Sequence, residues 1–184
     1  MPLSGYSSSL PTDVLLDSGV LYIGGSVFAA TRGGLQFNPT KELRNVEFDG
    51  KRSAVKGLDR TTMVAPVISG TVIELSPTDI TTFEPGATTV AGVSGITRYI
   101  GKRASTLYTS SDYITDVRVI WERGNGQYVQ VRFAAGLVRS WQLAGTDNEE
   151  AAIQIELEAR LDMTVSGANV TDMPYTIDYF SAAP

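Results

Sequence analysis

The 184-residue sequence contains no cysteine and no histidine. Without cysteine there is no disulfide, no thiolate metal site and no thiol nucleophile. Without histidine the chain lacks the commonest metal ligand and the side chain that titrates near neutral pH. Ser-His-Asp and Cys-His catalysis are therefore excluded within this chain. The expectation is a protein that is not an enzyme and carries no metal or cofactor. No apolar run approaches the length of a transmembrane helix, so no membrane partner is expected. The opening residues lack a basic stretch followed by an apolar one, so no secretory leader is expected.

The charge is also lopsided. The net charge is −5. Asp147, Glu149, Glu150, Glu156, Glu158, Asp162, Asp172 and Asp178 crowd the last forty or so residues, opposed only by Arg160. An acidic chain is a poor candidate for tight nucleic-acid binding, because affinity for phosphate comes mainly from Lys and Arg. With 42% hydrophobic and 19% charged residues, the chain has the composition of one folded domain with a real core.

Residues 113 to 135 organise the rest. Val117, Val119 and Trp121 alternate with Asp116, Arg118 and Glu122; Val129, Val131 and Phe133 alternate with Gln130 and Arg132. Gly124-Asn125-Gly126 lies between the two runs. Period two on either side of such a punctuator predicts a β-hairpin at the centre of a sheet.

The remaining elements follow in order. Residues 1–13 read as a loose N-terminal arm, or as one that orders on a neighbouring subunit through Tyr6 and Leu10. Two short apolar runs at 20–23 and 26–30 are bounded by glycine pairs at 24–25 and 33–34, predicted to be tight turns rather than a phosphate cradle. Strands are expected at 43–48 and 62–75, with Pro66 marking an edge or bulge. Between them lies a basic loop. Ser76, Pro77 and Asp79 open the one helix candidate, which Pro85-Gly86 stops. Further strands are expected at 96–100, 153–163 and 174–180. The alternation of Ile153, Ile155, Leu157, Ala159 and Leu161 makes one apolar face on a strand, whereas on a helix it would wrap the whole cylinder.

Gly24-Gly25, Thr31-Arg32-Gly33-Gly34, Phe37, Pro39, Glu42, Arg44, Val46, Phe48-Asp49-Gly50 and Val55-Lys56-Gly57 stand in an order and spacing that resembles major tail proteins. These are the tube subunits of long-tailed, non-contractile bacteriophages. The stretch from Thr78 to Gly86 and the Pro174-Tyr175-Thr176-Ile177 ending fit the same family. The resemblance implies a mainly β, sandwich-type tail-tube fold with one short flanking α-helix, over a single domain at 1–184. It implies stacked hexameric rings and a channel for DNA. The partners would be further copies of the chain, a tape measure protein and tail terminator and tip proteins, with double-stranded DNA passing but not tightly bound. The location would be the virion tail, and the host cytoplasm during assembly. The loop at 49–61, with Lys51, Arg52, Lys56 and Arg60, becomes the candidate ring-stacking loop. Glu156, Glu158 and Asp162, on one strand face, become candidate lumen residues, since an acidic lining repels phosphate. Tube proteins of bacterial secretion systems are close structural neighbours of this reading. The alternatives are a stand-alone β-sandwich binding or virion-decoration module, and a hydrolase built on two carboxylates.

Overall fold

The structure is a computed structural model of the chain, described for residues 19–28, 31–47, 49, 53–74, 76, 79–91, 96–145, 151–161 and 173–181. The arm at 1–13 lies outside these residues.

The central hairpin forms as the period predicts. Strand β7 (Ile114–Glu122) pairs antiparallel with β8 (Tyr128–Ala144), Glu122 opposite Tyr128. At the turn, Gly126 has φ +75° and its N–H donates to the Arg123 carbonyl at 3.0 Å. A side chain there would be strained. Val117, Val119, Trp121, Val131 and Phe133 turn their apolar face into the core.

Strand β8 runs well past residue 135 and serves two layers. Its first half lies between β7 and β10 (Tyr175–Phe180). Its second half pairs with β9 (Ala152–Arg160). Strand β9 pairs with β4 (Asp59–Val72), and β4 with β3 (Thr31–Asn45). On the other flank β1 (Val20–Ile23) pairs with β7, and β2 (Ser26–Val27) with β1. Every one of these pairings is antiparallel. Long twisted sheets fold over to bury their apolar face. Here Phe37 of β3 meets Phe133 of β8 at 6.2 Å and Tyr175 of β10 at 5.2 Å, ring to ring. The two halves of one sheet thus face each other as a sandwich, with Leu21, Ile68, Val119, Ile155 and Leu157 in the core. The expected mainly β architecture is the one observed.

Strand β9 shows why alternation outweighed its helix-forming composition. Ile153, Ile155, Leu157 and Ala159 are buried, and Gln154 and Glu156 are exposed. The strand stops at Arg160, short of the expected end. The one α-helix among the described residues, α1 (Asp79–Phe83), starts where the Ser76 N–H donates to the Asp79 carboxylate at 2.7 Å. This satisfies a backbone donor that a helix start leaves open. Phe83 pins α1 to the sheet, edge-on to Phe28 at 5.6 Å and stacked on Trp141 at 5.9 Å. Strands β5 (Thr88–Ala91) and β6 (Thr97–Ile100) form a separate ribbon. The sequence pattern indicates β6 but not β5.

Two local expectations are corrected. Gly24-Gly25 is the β1–β2 turn, but Gly33-Gly34 is a bulge inside β3, where Arg32 faces Thr71 and Leu35 faces Gly70. Both glycines have positive φ, 77° and 87°, which a bulge needs as much as a turn does. Consequently β3 begins at Thr31 and not at Leu43. Pro66 stands opposite Pro39, one residue before β4 begins to pair with β9. Its missing N–H therefore falls where β4 is an edge, as expected for a strand proline.

Candidate assembly surfaces

Strands β8 (second half), β9, β4 and β3 form one layer, and register assigns its outer face. Residues directly opposite one another share a face. One row reads Gln142, Gln154, Thr71, Arg32; the next reads Ser140, Glu156, Ser69, Gln36. These residues line a depression of about 490 Å³ that spans all four strands, so the polar face is hollowed. Ser140 Oγ donates to Glu156 at 3.0 Å, and Arg160 pairs with Glu158. With Arg32 at one end, this face is amide- and hydroxyl-rich with its charges balanced.

The same layer ends in two long edges. The β8 segment from Leu137 to Ala144 pairs only with β9, and β3 pairs only with β4, among the described residues. Strand β4 meets β9 only from Val67 onward. Among the described residues its earlier half pairs only with the facing half of β3, and the two make a two-stranded arm. Leu43 and Met63 on that arm are 66% and 50% exposed. Asn45 ties the arm's loop, donating to Asp59 at 2.7 Å and to the Val55 carbonyl at 3.0 Å.

The candidate residues fall as follows. Lys51, Arg52 and Asp162 lie outside the described residues. Lys56 is exposed in a turn of the arm's loop. Arg60 is exposed on β4 opposite Arg44, so it belongs to the strand and not to the loop. Glu156 and Glu158 share the hollow face, the first exposed and the second half-buried. Sequence periodicity signals those two. It cannot find Arg32, Gln36, Ser69, Thr71, Ser140 and Gln142, because only cross-strand register brings them to the same face. Among the described residues, no three carboxylates gather where they could hold a metal ion.

Comparison with known proteins finds no matching family model and no matching curated protein. Among solved structures, the chain is similar to one described as the virion of a native gene transfer agent particle. That match has 13% identity and a TM-score of 0.42, and covers 89% of this chain and 96% of that chain. A second is described as the tail of an empty gene transfer agent particle with C6 symmetry. It has 14% identity and a TM-score of 0.38, and covers 77% of this chain and 90% of that one.

Proposed function

We propose that the chain is a structural virion protein that assembles into stacked, six-membered rings, forming a tail tube through which DNA passes into the host. The observation that supports this reading is a pair of edges, on β8 and β3, that have no further strand partner among the described residues and flank a hollow polar face. Four antiparallel strands put β8 and β3 in opposite directions. Copies rotated about an axis along the strands would therefore meet edge to edge in antiparallel register. A head-to-tail contact of this kind closes into a ring and leaves no free edge. Six copies would supply 24 strands, a circumference of about 115 Å and a diameter of about 37 Å at the usual strand spacing. That is wider than a DNA duplex.

Glu156, Glu158 and Asp162 then belong to the lumen, with the amides and hydroxyls beside them. A lining without surplus Lys or Arg does not retain phosphate, so the duplex slides. The exposed arm reaches beyond the ring, and its loop, with Lys51, Arg52 and Lys56, meets an acidic surface of the next ring, with Arg60 at the strand's start. Tape measure, terminator and tip proteins are the further partners implied by the family resemblance. Assembly takes place in the host cytoplasm, and the product is the virion tail.

Negative-stain microscopy of the purified protein at rising concentration, with mass photometry, tests the reading. Rings or hollow tubes are expected. A chain that stays monomeric at every concentration and in the presence of tail tips would favour the stand-alone decoration module. The absence of native cysteine makes the edges directly testable. Single cysteines at Gln36 and Gln142 should yield intermolecular disulfide ladders only when the two variants share one chain.

A further inference from the structure

The tip of the central hairpin carries a reactive pair. Asn125-Gly126 is the one Asn-Gly dipeptide in the sequence. A hairpin turn favours it, because Gly126 takes positive φ at no steric cost. The same glycine leaves the backbone nitrogen after Asn125 unshielded by any Cβ. That nitrogen can attack the Asn125 carboxamide and close a cyclic imide. Asn125 is exposed, so water reaches the product.

The folded turn holds both reacting groups. The Gly126 N–H donates to the Arg123 carbonyl at 3.0 Å, and a nitrogen so engaged keeps its proton. Asn125 Oδ1 accepts from the Gln127 N–H at 3.0 Å, and Asn125 Nδ2 donates to Gln127 Oε1 at 2.8 Å. The carboxamide is thus gripped at both ends by one residue. The bond to Oδ1 draws charge from the carbonyl and by itself favours attack, so the side-chain bond from Nδ2 is the one that restrains. Gln127 is itself held. Arg123 Nη1 donates to the same Oε1 at 2.9 Å. A guanidinium only donates, so it fixes which end of the Gln127 amide faces Asn125. Arg123 in turn lies over the Tyr179 ring, 5.9 Å from its centroid.

We propose that Asn125 is a site of spontaneous deamidation, and that the Gln127 side chain is the latch that slows it in the folded chain. In the reaction Gly126 N bonds to Asn125 Cγ, the Cγ–Nδ2 bond breaks, and ammonia leaves with the Gly126 proton. Solvent water then opens the imide at one carbonyl or the other. One product is aspartate. The other is isoaspartate, whose side-chain carbons have entered the backbone. Either adds a negative charge to the tip, and the second lengthens a turn that sets Glu122 opposite Tyr128. Neither step needs a partner or a cofactor, so the proposal stands apart from ring assembly.

The test follows the full chain in mildly alkaline buffer by mass spectrometry, reading replacement of NH2 by OH. Cleavage after Arg123 and Arg132 isolates a peptide in which Asn125 is the one asparagine. The unaltered chain should react in urea and far more slowly when folded. Folded Gln127→Ala should react roughly fivefold faster than the folded unaltered chain, as expected for one lost hydrogen bond. Gln127→Glu keeps acceptor oxygens for Asn125 and Arg123 and should stay near the unaltered rate. Equal folded rates for Gln127→Ala and the unaltered chain would overturn the latch. No reaction in urea, or the same rate folded as in urea, would overturn the proposal as a whole. Should Gln127→Ala fail to fold, nuclear magnetic resonance of the unaltered chain gives a second reading. Asn125 carboxamide protons with slowed exchange and an Overhauser contact to the Gln127 side chain are expected; fast exchange without that contact would refute the latch.

Discussion

At the scale of single residues, two aspartates hold backbone that would otherwise be unsettled. Asp116 in β7 has φ +55°, a left-handed conformation that Asp tolerates better than most residues. Its carboxylate accepts from Arg132 Nε at 2.7 Å and pairs with Arg118 Nη2 at 2.9 Å. Those two arginines stand directly opposite each other, and like charges so placed repel. Asp116→Ala loses the carboxylate and adds backbone strain; Asp116→Gly loses only the carboxylate. Urea unfolding should therefore place the Ala variant below the Gly variant by about 1 kcal/mol. Equal midpoints would mean that the positive φ costs nothing here. Asp112 anchors the loop before β7. A hydrogen bond from the Lys102 ammonium, then one from the Thr109 N–H, hold its carboxyl below the ordinary value of 3.8. A depressed folded pKa gives stability that is fully present above the unfolded value and lost as pH falls through the folded one. Asp112→Asn should unfold at lower urea than the parent at pH 7, and the gap should narrow as the pH drops below about 4.

At the scale of elements, the helix shows how little a short segment needs. Five residues cannot form an isolated helix in water. Phe83 supplies the anchor, 2% exposed between Phe28 and Trp141. Phe83→Ala should cost about 3–5 kcal/mol in thermal or urea unfolding. It should also free the Trp141 Nε1–H, which donates to Glu84 at 3.1 Å, and so change the tryptophan emission. Elements like this one were legible in the sequence because their signals are local: a cap, a stop, a period of two. The central hairpin, β9 and β10 were read for the same reason. The bulge at Gly33-Gly34 was not, since positive φ serves turn and bulge alike and only the partner strand distinguishes them. Most of β3 was missed because the Gly33-Gly34 bulge interrupts the alternation of its first half and the residues from Asn38 to Arg44 are all exposed. On the hollow face, the alternation within β9 identifies Glu156, exposed, and Glu158, half-buried. The residues beside them come from three other strands, whose register no single stretch of sequence encodes.

At the scale of the whole molecule, the arm and the edges predict separable behaviour. If edges close rings and the arm's loop joins one ring to the next, Lys56→Glu with Arg60→Glu should leave single rings intact but shorten the tubes in electron micrographs. The effect should be largest at low salt, where exposed charges are least screened. Tubes of parental length would remove this loop from the stacking contact.

One strand has a mechanical consequence. The backbone of β8 begins in the layer with β7 and β10 and ends in the layer with β9, without a break. The two layers are therefore spliced and not merely laid together. Shear that would slide one sheet over another in an ordinary sandwich must here stretch a continuous chain, one half of which is laddered into each layer. A load applied to one layer is thereby passed to the other through the covalent backbone of β8.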